Sequence, residues 1–87
     1  MTYRLAVARS ASKALAQELP TAVAFAVVEF STGVLLEHPQ RVGKRLQAPL
    51  DGKWSARRGQ YRIIYTIDEA SEVVTILQIS HRRDAYR

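Results

Sequence analysis

Apolar residues recur at two periods along this chain, a helical one in the first half and a strand-like one in the second. Before the helical stretch, residues 3–8 (Tyr-Arg-Leu-Ala-Val-Ala) alternate weakly and predict a short first strand. From Ala11 the period lengthens: Ala11, Leu15 and Leu19 form an i, i+4 stripe, with Lys13, Gln17 and Glu18 off it. Ser10 stands at the expected N-cap, where a hydroxyl can accept from the free amides of the first turn. Pro20 ends this helix and can open the next, because a first-turn position needs no N–H. The second predicted helix, Thr21 to Leu36, carries Val23, Val27, Phe30 and Val34 on one stripe, with Ala22, Ala24, Phe25, Ala26 and Val28 around them. A helix apolar over most of its circumference is expected to be buried on more than one side, by the sheet and the first helix or in part by a partner. Gly33 is expected to loosen its last turn, and His38-Pro39 to stop it.

The second half returns to period two. Tyr61, Ile63, Tyr65 and Ile67 share one strand face, and Arg62, Ile64 and Thr66 the other. Trp54 begins the strand before this one, and the β-branched run Val73–Ile79 is the strand after it. Turns are predicted at Asp51-Gly52, Gly59-Gln60 and Asp68–Ser71. With glycine at the first central position, Gly59-Gln60 fits a type II′ hairpin, which sets Arg58 opposite Tyr61, Arg57 opposite Arg62 and Ala56 opposite Ile63. Gln40–Asp51 is a basic connector pinned by Leu46 and Leu50, and Ser80 to Arg87 a polar tail. The order is β-α-α-β-β-β: an α+β domain spanning 1–87, with an N-terminal strand and an α-helical hairpin packed on a mainly antiparallel four-stranded sheet.

Charge changes the picture of that hairpin. The chain has 87 residues and a net charge of +5. Residues 1–40 are balanced, whereas residues 41–67 hold Arg41, Lys44, Arg45, Lys53, Arg57, Arg58 and Arg62 against Asp51 alone. Such a block attracts polyanions; the alternative is a solvated basic face. Two arginines opposite each other destabilise a hairpin, so a fold that keeps Arg57 facing Arg62 is expected to offer them an anion. The chain has no cysteine, which excludes thiolate nucleophiles and zinc–thiolate sites. No secretory h-region or membrane-length apolar run is present, so a soluble cytoplasmic protein without membrane contact is expected.

The available chemistry is narrow. His38 and His81 are the only histidines, the acids are scattered, and neither a phosphate-cradling glycine loop nor a Gly-x-Ser-x-Gly elbow occurs. No metal or cofactor is expected. Antiparallel pairing of the last two strands returns the tail to the hairpin, which predicts that His81, Arg82 and Tyr86 approach Arg57 and Arg62. Arginine forks hold phosphate oxygens, and fixed positive charge stabilises the transition state of phosphodiester cleavage. A substrate 2′-OH can then be the nucleophile, with side chains moving its proton and that of the leaving 5′-oxygen. The plain alternatives are that Arg57 and Arg62 are surface strand residues and that His81 and Tyr86 are incidental tail residues. Tyr61, Tyr65 and Trp54 read as core aromatics.

The runs Pro-x-Arg-Val-Gly-Lys-Arg-Leu from Pro39, Leu-Asp-Gly-Lys-Trp-Ser-Ala-Arg-Arg-Gly-Gln-Tyr-Arg-Ile-Ile-Tyr from Leu50, and Ile-Ser-His-Arg-Arg-Asp-Ala-Tyr at the end strongly resemble the RelE/ParE toxin superfamily of bacterial type II toxin–antitoxin systems, in its RelE-like branch. The resemblance covers essentially the whole chain. It implies a ribosome-dependent endoribonuclease that cuts mRNA in the ribosomal A site by 2′-OH attack without a metal. It also implies a cognate antitoxin, with operator DNA bound only by the toxin–antitoxin complex. By position, Arg62 resembles the arginine that holds the scissile phosphate, Arg82 the tail arginine near the leaving oxygen, and Tyr86 the tyrosine that positions or deprotonates the 2′-OH. Lys53 and Arg57 resemble site-lining residues, with Arg58, Arg41, Lys44 and Arg45 as further RNA-binding candidates. Ser55 stands where well-studied members carry another lysine, and the spacing from Arg82 to Tyr86 is shorter than in some members. These departures leave the general base unassigned and make His81 a candidate. The same scaffold also serves ParE-like gyrase inhibitors, and a non-toxic, antitoxin-binding regulatory subunit is a third reading.

Overall fold

The computed structural model describes residues 2–81. The elements run β1 (Arg4–Val7), α1 (Arg9–Lys13, continued by a π-helical turn Ala14–Glu18), α2 (Thr21–Thr32), α3 (Val34–Glu37), β2 (Lys44–Arg45), β3 (Trp54–Arg58), β4 (Tyr61–Asp68) and β5 (Val73–His81). The five strands form one sheet in the order β1-β5-β4-β3-β2, antiparallel except where β1 lies parallel to β5. The architecture is therefore α+β, as the periodicities predict. The sheet gains a fifth strand because Lys44 and Arg45 of the connector pair with Ser55 and Trp54. Two residues at an edge carry no alternation by which a sequence pattern marks them.

The helices cover one face of the sheet. Ala11, Ala14, Val27, Phe30, Leu35 and Leu36 meet Ala56, Ile63, Tyr65, Val74, Ile76 and Ile79 in a single buried cluster, against which Trp54 and Tyr61 pack. Pro20 divides α1 from α2 as expected, following an extended Leu19. Two helix expectations are corrected. The first helix is entered from Ala8, and no side chain caps it, so Ser10 is already inside the first turn. The second breaks at Gly33, whose backbone is non-helical, and restarts as α3.

Burial of α2 is also one-sided. Val27, Phe30 and Ser31 are buried, but Phe25 is 73% exposed and Val28 45% exposed. Phe25 and Val28 border a cleft with Leu15, Ala16 and Leu19 of the preceding π-helical turn and stay largely exposed beyond it. None of the described helices is long and apolar enough to cross a membrane.

One buried group makes a prediction here. The Ser31 hydroxyl has no hydrogen-bond partner among the described residues. An unpaired buried hydroxyl costs about 1–3 kcal/mol, and alanine is the better helix former. Ser31→Ala is therefore expected to raise unfolding free energy by about 1 kcal/mol, read from the urea midpoint at unchanged slope.

Candidate nucleic-acid interface

The predicted hairpin register is observed: Arg58 pairs with Tyr61, Arg57 with Arg62 and Ala56 with Ile63. Gly59 adopts φ +60°, the left-handed region that the first central residue of a type II′ turn requires. Arg57 and Arg62 thus lie on one face of the sheet, opposite the helices, since their neighbours Ala56 and Ile63 point into the core.

A groove of about 630 Å³ opens over this pair. Arg57, Arg62 and Ser55 form its floor and Arg41 and Lys44 of the connector its wall; Arg45 also borders it, but it pairs with Trp54, so its side chain turns to the helix face. Four cationic side chains, Arg41, Lys44, Arg57 and Arg62, surround this concavity, and among the described residues its lining carries no acid, which makes it a surface that draws anions. The connector is tied down at both ends. The Tyr65 hydroxyl donates to the Pro39 carbonyl at 2.7 Å inside the core, and burial pushes its pKa from an ordinary 10 up to about 12. Leu46 N–H donates to the Lys53 carbonyl at 2.9 Å, closing the loop that ends in β3. Arg45 stacks over Trp54 at 5.8 Å, and Trp54 lies against Tyr65 with ring centroids 6.4 Å apart.

Lys53 lines an adjoining cleft with Leu50, Ile64, Leu77, Gln78 and Ser80. Ser80 is the β5 partner of Arg62, so cleft and groove share the same sheet face.

Besides Arg45, two candidates do not join this face. His81 pairs with Tyr61, and strand parity puts both on the helix side, where their rings meet edge to face at 5.2 Å. The expected approach of His81 to Arg57 and Arg62 is corrected accordingly. Arg58 points the same way, with its guanidinium 3.8 Å from the centre of the Phe30 ring and donating to the Arg57 carbonyl at 2.8 Å. Its surroundings are those of a core-rim residue. Arg58→Ala is expected to lower stability by about 1 kcal/mol as the cation–π stacking disappears, with binding in the groove unchanged. Parallel urea titrations and RNA-binding isotherms check this. The expectations for Arg82 and Tyr86 lie outside the described residues.

A helical layer on one side of a sheet and a cationic groove on the other define a small α+β domain with one strongly basic face. The sequence profile of the ParE toxin of type II toxin–antitoxin systems (parDE) matches residues 7–86, and the chain belongs to this family of toxins. It is 45% identical to Toxin RelE of Mycobacterium tuberculosis over 85 residues, covering 98% of this chain and 87% of that protein. It is also 45% identical to Toxin RelG of the same organism over 87 residues, covering 100% of this chain and 99% of that protein. Among solved structures, the toxin–antitoxin complex RelBE2 from Mycobacterium tuberculosis contains a chain 43% identical to this one, with a TM-score of 0.89 over 94% of this chain and 100% of that one.

Proposed function

We propose that this toxin is a metal-independent endoribonuclease that cuts mRNA in the ribosomal A site and so arrests translation in the cytoplasm. The observation that carries this reading is the Arg57–Arg62 pair on the floor of a basic groove. Two facing guanidinium groups repel each other on their own and cooperate when a phosphodiester lies between them.

In the reaction, the 2′-oxygen forms a bond to phosphorus and the bond from phosphorus to the 5′-oxygen breaks. The products are a 2′,3′-cyclic phosphate and a 5′-hydroxyl. The 2′-OH proton leaves to a base, and the departing 5′-oxygen takes up a proton to become the 5′-hydroxyl. Arg62 holds the scissile phosphate, and Arg57 and Lys53 line its approach. Arg82 serves the leaving oxygen and Tyr86 the 2′-OH. His81, turned toward Tyr61, is not assigned the base in this scheme. Arg41 and Lys44 hold flanking phosphates, and Arg45, turned to Trp54, is not assigned one.

The partner is a cognate antitoxin, as in the solved RelBE2 complex, and the uncovered apolar side of α2 at Phe25 and Val28 is available to it. Operator DNA enters only through that complex. Because the matching profile is that of ParE, gyrase inhibition is the second reading. Mapping mRNA 5′ ends after induction separates the two. New ends within coding regions, absent with Arg62→Ala, support the nuclease; intact mRNA with DNA-damage induction selects the gyrase inhibitor.

A further inference from the structure

The pairing of β4 with β5 slips by one residue. Ile64 faces Gln78 while Tyr65 faces Ile76, so Leu77 is an extra residue in β5. A bulge of this kind re-aims side chains and bends the strand. Here Leu77 and Gln78 both line one cleft, of about 240 Å³, across from Ile64. Its apolar walls are Ile64, Leu77 and Leu50, the last 42% exposed, and its polar rim is Ser10, Lys53, Gln78 and Ser80.

We infer that this bulge-built cleft is a nucleobase subsite that sets the base preference of the site. The inference rests on RNA binding by the basic groove. Ile64 follows Arg62 by two residues on the same strand face, about 7 Å away along the strand. That is a separation a ribose spans between its phosphate and its base. A phosphate has no use for three aliphatic side chains, whereas a base has an apolar face to lay on them and a polar edge to present to the rim. The Gln78 carboxamide offers a donor and an acceptor together, which can discriminate one base edge from another. Lys53 offers donors only, which favours bases with a carbonyl or ring-nitrogen acceptor at that edge. Phosphate binding in the groove and base contact in the cleft are therefore separable.

The test is methyl NMR of the full-length toxin titrated with the four nucleoside 3′-monophosphates and, in parallel, with inorganic phosphate. Nucleotides are expected to move the methyl signals of Leu50, Ile64 and Leu77, and inorganic phosphate to leave them in place. Leu77→Ala is expected to weaken nucleotide binding about tenfold with phosphate affinity unchanged. Gln78→Leu, at an exposed position, is expected to change the ranking of the four bases even if Leu77→Ala fails to fold. Nucleotide shifts identical to those of phosphate, or a ranking unmoved by Gln78→Leu, overturn the subsite. If nucleotides move the cleft methyls while the wild type leaves ribosome-bound mRNA intact, the subsite stands and the nuclease reading falls.

Discussion

Arg62→Ala is expected to slow cleavage of ribosome-bound mRNA by about a hundredfold or more, with the fold retained. Removing one fixed donor to a developing oxyanion costs about a hundred- to a thousandfold in other hydrolytic sites, and a charged bidentate donor belongs at the upper end. Arg57→Ala is expected to cost less, about tenfold, because Arg57 lies at the exposed side of the pair. The two differ in a second way. Replacing Arg57 takes a like-charged neighbour away from Arg62, so stability is expected to rise by several tenths of a kcal/mol as activity falls. A residue kept only for packing would move both in the same direction. RNA binding of Arg57→Ala should also show a salt dependence shallower by about 0.7 for each phosphate that the variant no longer neutralises. Single-turnover cleavage, urea unfolding and salt-dependent binding isotherms measure the three quantities. Arg62→Ala cleaving at the wild-type rate would remove the site assignment altogether.

The hairpin was legible in the sequence because a two-residue turn with glycine at its first position leaves one register, and the register fixes which side chains face each other. The position of His81 follows from the same signal once strand parity is applied. With Arg62 facing away from the helices, its neighbour Tyr61 faces toward them, and so does the residue opposite Tyr61. That residue is His81, and the alternation alone sends it to the other side. The bulge at Leu77 left no mark, since leucine and glutamine are acceptable on either face of a half-covered strand. The edge strand Lys44–Arg45 was unreadable for a different reason. It is held by contacts from Pro39 and Gly43 to a tyrosine more than twenty residues away, which no local pattern contains.

That tether is where a single methyl group should do the most structural damage. A Cβ at Gly43 would collide with the Tyr65 hydroxyl and come within 2.7 Å of the Ser55 carbonyl oxygen. The Tyr65 ring is fully buried and its hydroxyl is committed to Pro39, so it cannot swing aside without leaving a buried donor unpaired. The Ser55 oxygen belongs to β3 and gives still less. Gly43→Ala is therefore expected to cost about 3 kcal/mol, combining overpacking with a strained or broken buried hydrogen bond. The wall of the groove moves with it, because Arg41 and Lys44 flank Gly43, so RNA binding should fall even under conditions where the variant is folded. Tyr65→Phe removes one of the two obstacles, and the double variant is expected to be less destabilised than the sum of the single ones. The remaining cost comes from the Ser55 carbonyl, which no side-chain change relieves, and from the ring carbon at 3.1 Å that phenylalanine keeps. A second signature comes from alkali. Tyr65 ionises near pH 12 in the folded chain and near pH 10 when unfolded, so its contribution to stability is full below about pH 10 and is lost as pH rises toward 12. Tyr65→Phe should lack that part of the decline. Strict additivity of Gly43→Ala and Tyr65→Phe in urea unfolding would show that the close approach at Gly43 does not hold the connector in place.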